Sequence, residues 1–342
     1  MKPDSLLIRA DASTSIGTGH IMRCFALAQA WEEAGGDAAF SVAEMPDVLR
    51  PRLIVSGFEV SAQNATPGSR EDAVSLAAQA RKLAAGWIVV DGDRFDGGFL
   101  ESLASTGFRV LLVDDFASRQ SFPASLIVNP NLGADARAYR DRGSQAAILS
   151  GPHYAMLRRE FRAAFDRQFP QNATRVLVTL GGSDPDKLTA RIATALADLP
   201  GFSLTLVVGA GHPDVAQVQA LRAPNVVVVA DAQNMAELMK ASDLAIIAAG
   251  GTLWELLALA CPVLSYARNP VQSRVIQSLA KDEIVVDLGD TARFDPAVVV
   301  AEVAQLAANR AARERMAQRG RALVDGLGAA RVVEAMRHLG AH

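Results

Sequence analysis

Ile8-Arg9-Ala10-Asp11-Ala12-Ser13-Thr14-Ser15-Ile16-Gly17-Thr18-Gly19-His20-Ile21-Met22-Arg23 reads as a strand, a glycine-rich turn, and a helix whose first turn carries a histidine. Gly17 and Gly19 let backbone N–H groups face a bound anion, and the positive end of the helix favours negative charge there. His20, beside that end, is expected to have its imidazolium form disfavoured, leaving a neutral imidazole able to accept a proton. A base next to an anion cradle suggests chemistry on a phosphorylated or nucleotide-linked substrate. Taken alone, the same turn is equally a glycine corner with a histidine at a helix start.

The rhythm set by this stretch repeats. Short apolar runs predict strands at 6–9, 38–42, 87–90, 110–113 and 126–128, with helices near 20–34, 70–84 and 97–106. Residues 129–150 lose the alternation, a charged helical segment follows at 157–167, and 169–174 read as a linker. The alternation restarts at 175–180 and continues with strands at 204–208, 226–229, 244–247, 263–266 and 284–286. An alanine- and arginine-rich tail from about 296 to 342 reads as two or three helices. The expected architecture is α/β, with two Rossmann-like domains, 1–168 and 175–342 (tail included), facing each other across a cleft. A chain of 342 residues is long enough for both.

Composition narrows the function classes. A net charge of −3 argues against broad attraction to nucleic acid or an acidic membrane. Cys24 and Cys261 are the only cysteines, so a disulfide scaffold or a zinc site is not expected. Without a signal-peptide core or an apolar run of membrane-spanning length, a cytoplasmic monomer is expected, with no stable membrane association.

Candidate chemistry gathers at strand ends. Gly181-Gly182-Ser183-Asp184 follows the first strand of the second domain, and Gly250-Gly251-Thr252-Leu253-Trp254-Glu255 follows another and enters a helix. Gly250, Gly251 and Thr252 suit a diphosphate, and Glu255 could accept from both ribose hydroxyls or simply balance the helix dipole. Neither a GxGxxG fingerprint nor a P-loop is present. Asp91, Asp93, Asp114 and Asp115 end strands of the first domain, where they could bind Mg²⁺, bind sugar hydroxyls or cap helices. Asp11 is the carboxylate expected to support His20 or to touch substrate. His153 reads as a loop residue, and His212, His338 and His342 have no chemical context.

On the motif at 9–23, Val113-Asp114-Asp115, Asn129-Pro130-Asn131, the stretch from Gly151-Pro152-His153-Tyr154 to Phe161, and the two glycine pairs, the chain resembles a known family over residues 6–290. These are the UDP-sugar hydrolases of pseudaminic acid biosynthesis, which cleave UDP-2,4-diacetamido-2,4,6-trideoxy-β-L-altropyranose, together with SpsG-type spore-coat polysaccharide proteins. The resemblance implies a GT-B fold with UDP on the C-terminal domain and the sugar facing the N-terminal one. It also implies attack of water at the anomeric carbon with inversion, with no metal and no cofactor. His20 falls on the catalytic histidine, with Asp11 and Asn269 as its expected catalytic companions. Gly17, Gly19, Arg23, Asp91, Asp115, Tyr154 and Gln272 are assigned to the sugar. Gly181, Gly182, Ser183, Gly250, Gly251, Thr252 and Glu255 are assigned to UDP.

Two stretches depart from the family pattern. Asp91-Gly92-Asp93 stands where an Asp-His-Tyr-like motif is usual. Arg268-Asn269-Pro270-Val271-Gln272 separates an asparagine and glutamine that are usually adjacent. Two other readings stay open: a GT-B glycosyltransferase using a UDP-sugar donor, and, suggested by these departures, a nucleotide-sugar-binding protein without turnover.

Overall fold

The computed structural model describes residues 5–13, 16–162, 166–181, 184, 186–197, 199–209, 218 and 223–340. The chain divides into two units, Met1–Arg159 with Gly326–His342, and Glu160–Asp325.

In the first unit, β1 (Ser5–Ala10), β2 (Asp37–Val42), β3 (Glu59–Ala62), β4 (Ala85–Asp91), β5 (Arg109–Val113), β6 (Leu126–Asn129) and β7 (Ala147–Ser150) form one sheet in the order β3-β2-β1-β4-β5-β6-β7. All its pairings are parallel. Leu6, Leu7 and Ile8 of β1 are fully buried, so both faces of the strand are covered, as its unbroken apolar run requires. The helices are α1 (Gly19–Glu33), α2 (Leu49–Val55), α3 (Arg70–Lys82), α4 (Gly97–Ala104), α5 (Arg137–Arg140) and α6 (Arg159–Arg162, whose last three residues fall in the second unit). The strand order reverses direction at β1 and β4, and the chain leaves both carboxyl ends there. In open α/β sheets that switch point is where ligands bind.

In the second unit, β8 (Arg175–Thr179), β9 (Ser203–Val208), β10 (Val226–Ala230), β11 (Leu244–Ala248), β12 (Val263–Ala267) and β13 (Val286–Asp290) repeat the plan in the order β10-β9-β8-β11-β12-β13, again parallel. Its helices are α7 (Leu188–Ala197), α8 (Met235–Ala241), α9 (Gly251–Ala258), α10 (Pro270–Lys281), α11 (Pro296–Ala308) and α12 (Arg310–Leu323). Arg313 is fully buried, and its guanidinium donates to the carbonyls of Leu306 (2.7 Å) and Ala307 at the end of α11. Those helix-end carbonyls take the place of a carboxylate partner.

The tail forms three helices, but the last, α13 (Gly328–Gly340), belongs to the first unit rather than the second. Its Ala329, Val332, Val333 and Met336 complete the core around Cys24, Ala28 and Trp31 of α1. Gly328 is needed for this return, because a Cβ there would lie 2.2 Å from the Ala155 carbonyl. The segment expected to be helical over 157–167 is α6 at 159–162, and residues 163–165 lie outside the described residues. β3, β7 and α2 were not expected, and β13 starts two residues later than the expected strand.

Candidate active site

The carboxyl edge of the first sheet carries one connected polar network. His20 sits in the first turn of α1, and its Nδ1 lies 2.7 Å from Oδ1 of Asp91, the last residue of β4. Asp91 is fully buried but remains ionised. Burial raises its pKa, yet the charge and hydrogen bonds of Arg23, with those of His20, hold its carboxyl far below the usual carboxylate range. A carboxylate at this distance requires the proton on Nδ1, which leaves Nε2 of a neutral His20 as the acceptor. Burial lowers the His20 pKa and Arg23 opposes protonation, but the hydrogen bond and charge of Asp91 and the charge of Asp115 outweigh them and raise it above 6.5. The helix start does not keep this imidazole acidic. Asp91 makes it a stronger base.

Asp11 does not support His20. Its Oδ1 accepts from Arg9 Nη1 (2.7 Å), Ala43 N (2.7 Å) and Glu44 N (3.2 Å), which turns it toward the end of β2. Arg9 is itself fully buried and bonded through Nε and Nη2 to Asp72 at 3.1–3.2 Å. The two carboxylates differ in strand position: β4 pairs with β1 so that Asp91 stands level with Ala10, on the side opposite β2.

Arg23, three residues after His20 on the same helix face, is engaged on two sides. Nε and Nη2 donate to Asp91 at 2.6 and 2.7 Å, while Nη1 and Nη2 donate to Asp115 at 2.8 Å each. The guanidinium is therefore a strut between two carboxylates. Asp115 also accepts from Asn131 Nδ2 (2.8 Å), which reaches Asn129 Oδ1 (3.1 Å). Asn129 Nδ2 donates to the Tyr139 hydroxyl (2.8 Å), and that hydroxyl donates to Asp114 Oδ2 (2.8 Å). Asp114 is clamped further by Ala117 N (2.7 Å) and Arg119. Asn131, Tyr139 and Arg119 carried no assigned role in the sequence, although Asn129-Pro130-Asn131 was one of the stretches carrying the resemblance.

Beside this cluster, Gly17 closes a turn at φ +76°, with its N–H bonded to Ser13 O (2.8 Å), so that N–H does not face a ligand. Gly19 opens α1, which has no side-chain cap, and residues 17–19 are exposed. The amides of such a first turn have no partner within the helix. Tyr154 is half-buried against the core around α1, and nothing among the described residues ties it to the His20 network. Among the described residues, no three His, Cys, Asp or Glu side chains are grouped to hold a metal ion.

In the second unit α9 begins at Gly251 without a side-chain cap. A Cβ added at Gly250 or Gly251 would meet nothing within 4 Å, so the chain's own packing does not demand glycine at either position. Thr252 follows, and Glu255 is half-buried one turn on. Gly181 lies at the end of β8 near the Arg268 guanidinium, which donates to Leu180 O. Gly182 and Ser183 lie outside the described residues. Asn269 and Gln272 are engaged locally: Asn269 Oδ1 caps α10 by accepting from Gln272 N (2.9 Å), and Gln272 Oε1 accepts from Arg268 N (2.9 Å). Asn269 is thus an ordinary N-cap, while Gln272 reaches back past it to the N–H of the preceding residue. The stretch that departed from the family pattern forms the start of α10.

The chain has relatives among known proteins. No protein-family model matches it. It is 27% identical over 198 residues to the spore coat polysaccharide biosynthesis protein SpsG of Bacillus subtilis, covering 56% of this chain and 58% of that protein. It is 24% identical over 271 residues to the UDP-2,4-diacetamido-2,4,6-trideoxy-beta-L-altropyranose hydrolase of Campylobacter jejuni, covering 77% and 92%. These proteins are its relatives. An uncharacterised protein of Methanocaldococcus jannaschii, MJ1062, is 24% identical over 280 residues, covering 78% of this chain and 56% of that protein. The chain thus spans little more than half the length of MJ1062 and SpsG, and nearly all of the Campylobacter hydrolase. Among solved structures, MurG of Acinetobacter baumannii superposes with a TM-score of 0.67 at 18% identity, covering 98% of this chain and 100% of that one. The calicheamicin glycosyltransferase CalG4 gives a TM-score of 0.64 at 16% identity, covering 100% and 99%. The fold is of the GT-B type.

Proposed function

We propose that the protein hydrolyses a UDP-linked 2,4-diacetamido-trideoxyhexose to UDP and the free sugar, in the biosynthesis of a pseudaminic-type nonulosonic acid. The observation that carries this reading is the His20–Asp91 pair, a buried ionised carboxylate holding the proton on Nδ1 and leaving Nε2 as a base. The Campylobacter relative, a UDP-2,4-diacetamido-2,4,6-trideoxy-beta-L-altropyranose hydrolase, supplies the substrate class. His20 Nε2 takes a proton from water as the water oxygen bonds to the anomeric carbon. The bond from that carbon to the diphosphate oxygen breaks, and UDP leaves with the electron pair, inverting the centre. UDP is a good leaving group, so it needs N–H donors more than an acid. Gly250, Gly251 and Thr252 receive the diphosphate in this reading, and Glu255 the ribose. Asp91 is held by His20 and Arg23, Asp115 by Arg23 and Asn131, and Asp114 by Arg119, Tyr139 and Ala117, so the step is assigned no divalent metal.

The test is turnover of UDP-2,4-diacetamido sugars, without an acceptor and with EDTA present, followed by NMR of the anomeric signals. Free reducing sugar of inverted configuration is expected, and His20→Asn should lower kcat at least about a hundredfold with near-normal UDP affinity. No sugar release without an added acceptor would favour a transferase. UDP binding with no turnover at all would favour a binding protein.

A further inference from the structure

Orienting His20 needs one carboxylate, and Asp91 supplies it, yet the network contains a second. Asp115 does not touch the imidazole. It grips the far edge of Arg23 through both oxygens and is itself held by Asn131. Its own exposure is only 18%, and those of Arg23 and His20 are 19% and 20%, so these charges act on one another with limited screening. The groups that face His20 are Arg23 from its own helix, Asp91 from β4 and Asp115 from the end of β5. Cys24, buried beside Asp91, is held neutral because burial pushes its thiol well up. Two carboxylates and one guanidinium leave a net charge of −1 around a neutral imidazole, and a proton on His20 brings the cluster to zero.

We propose that Asp115 is a positioning residue that sets the proton affinity of His20 through Arg23. It contributes the second negative charge, and its two-point grip divides the guanidinium between two carboxylates instead of leaving it to neutralise Asp91 alone. Without Asp115, Arg23 and Asp91 cancel, and a proton on His20 creates an unbalanced positive charge in a half-buried place. The base then becomes weaker although its own hydrogen bond to Asp91 is untouched. Asn131 takes part by holding the carboxylate against Arg23. As a statement about catalysis this rests on the hydrolase reading, but the proton affinity of His20 is measurable without any substrate.

The experiment is an NMR titration of ¹³C-labelled histidine in the intact protein, with the His20 signal assigned by its loss in His20→Asn. Asp115→Asn is expected to lower the proton affinity of His20 about three- to tenfold. Asp115→Ser removes the charge without placing amide hydrogens opposite the guanidinium, and should do the same if the asparagine variant folds poorly. Asp115→Glu should restore most of the wild-type affinity. In parallel, the acid limb of kcat/KM for UDP-sugar hydrolysis should move to lower pH by the same factor. A folded Asp115→Asn or Asp115→Ser protein whose His20 titrates as in the wild type overturns the proposal. A shifted titration with no hydrolysis in any variant leaves the tuning intact and overturns the hydrolase reading instead.

Discussion

The two sheets share a strand order, but their carboxyl edges are furnished differently. At the first, β4 and β6 end in Asp91 and Asn129, Asp114 and Asp115 follow β5, and an arginine from α1 joins Asp91, the partner of the histidine, to Asp115. At the second, the turn after β11 offers Gly250 and Gly251 at an uncapped helix start, and the asparagine and glutamine after β12 are occupied with capping α10. One edge is made of side chains whose charges depend on each other, the other mainly of backbone. A proton acceptor of set strength is most often a side chain. A diphosphate needs several N–H donors at close range, which a glycine turn supplies without side-chain ordering.

The largest effect that would break this contrast lies at Asp91. Asp91→Asn should let the imidazole take the other tautomer and lower kcat about 10²- to 10⁴-fold, with UDP affinity little changed. Turnover near wild type, in a protein shown by circular dichroism to be folded, would remove the dyad from the mechanism. The wild-type profile belongs to the same test. Because the His20 pKa is raised, kcat/KM should fall on the acid side with a midpoint above 6.5. The linkage has the same sign: the stability gained from His20 is complete below 6.5 and is lost as pH rises through the raised folded value.

Next in size is Glu255→Ala, which should weaken UDP binding by about 1.5–3 kcal/mol in titration calorimetry. Gly250→Ala sharpens the point, since the free protein has room for the methyl. Its melting temperature should hold while UDP affinity drops. Loss of stability with UDP affinity unchanged would return the glycine to an ordinary structural role. The smallest expected effect is at Asn269. Asn269→Ala should cost about 1 kcal/mol of stability in a urea melt, as lost caps do, and change kcat only a few-fold. A hundredfold loss of kcat would put its amide in the reaction after all.

What could be read in the sequence follows burial. β1, β4, β8 and β11 are runs of residues covered on both faces, and such runs announce themselves. β3 and β7 lie at sheet edges, with mixed exposed and half-buried residues, and the apolar signal fails there. The motif at 9–23 marked His20, but not its partner. Asp11 and Asp91 both end strands, and only the placement of β2 and β4 on opposite sides of β1 decides which one meets the imidazole. The link from Asn129 through Tyr139 to Asp114 joins positions up to 25 apart across a stretch with no periodicity, so no spacing could reveal it. The last helix was assigned by adjacency along the chain, whereas its apolar face matches α1.

That helix gives the protein an order of assembly. The second unit is a continuous stretch and can complete its core from its own residues as it is synthesised. The first must wait: Arg337 donates to the Ala34 carbonyl 303 positions earlier, and Val332, Val333 and Met336 cover apolar side chains of α1 made long before them. Until α13 arrives, the flank of the helix that carries His20 and Arg23 is bare. Closing so long a loop is slow, and an uncovered apolar flank invites self-association meanwhile. A chain cut short after the second unit would have one finished half and one adhesive half, so the histidine-bearing half depends on a thirteen-residue helix made long after the rest of its core.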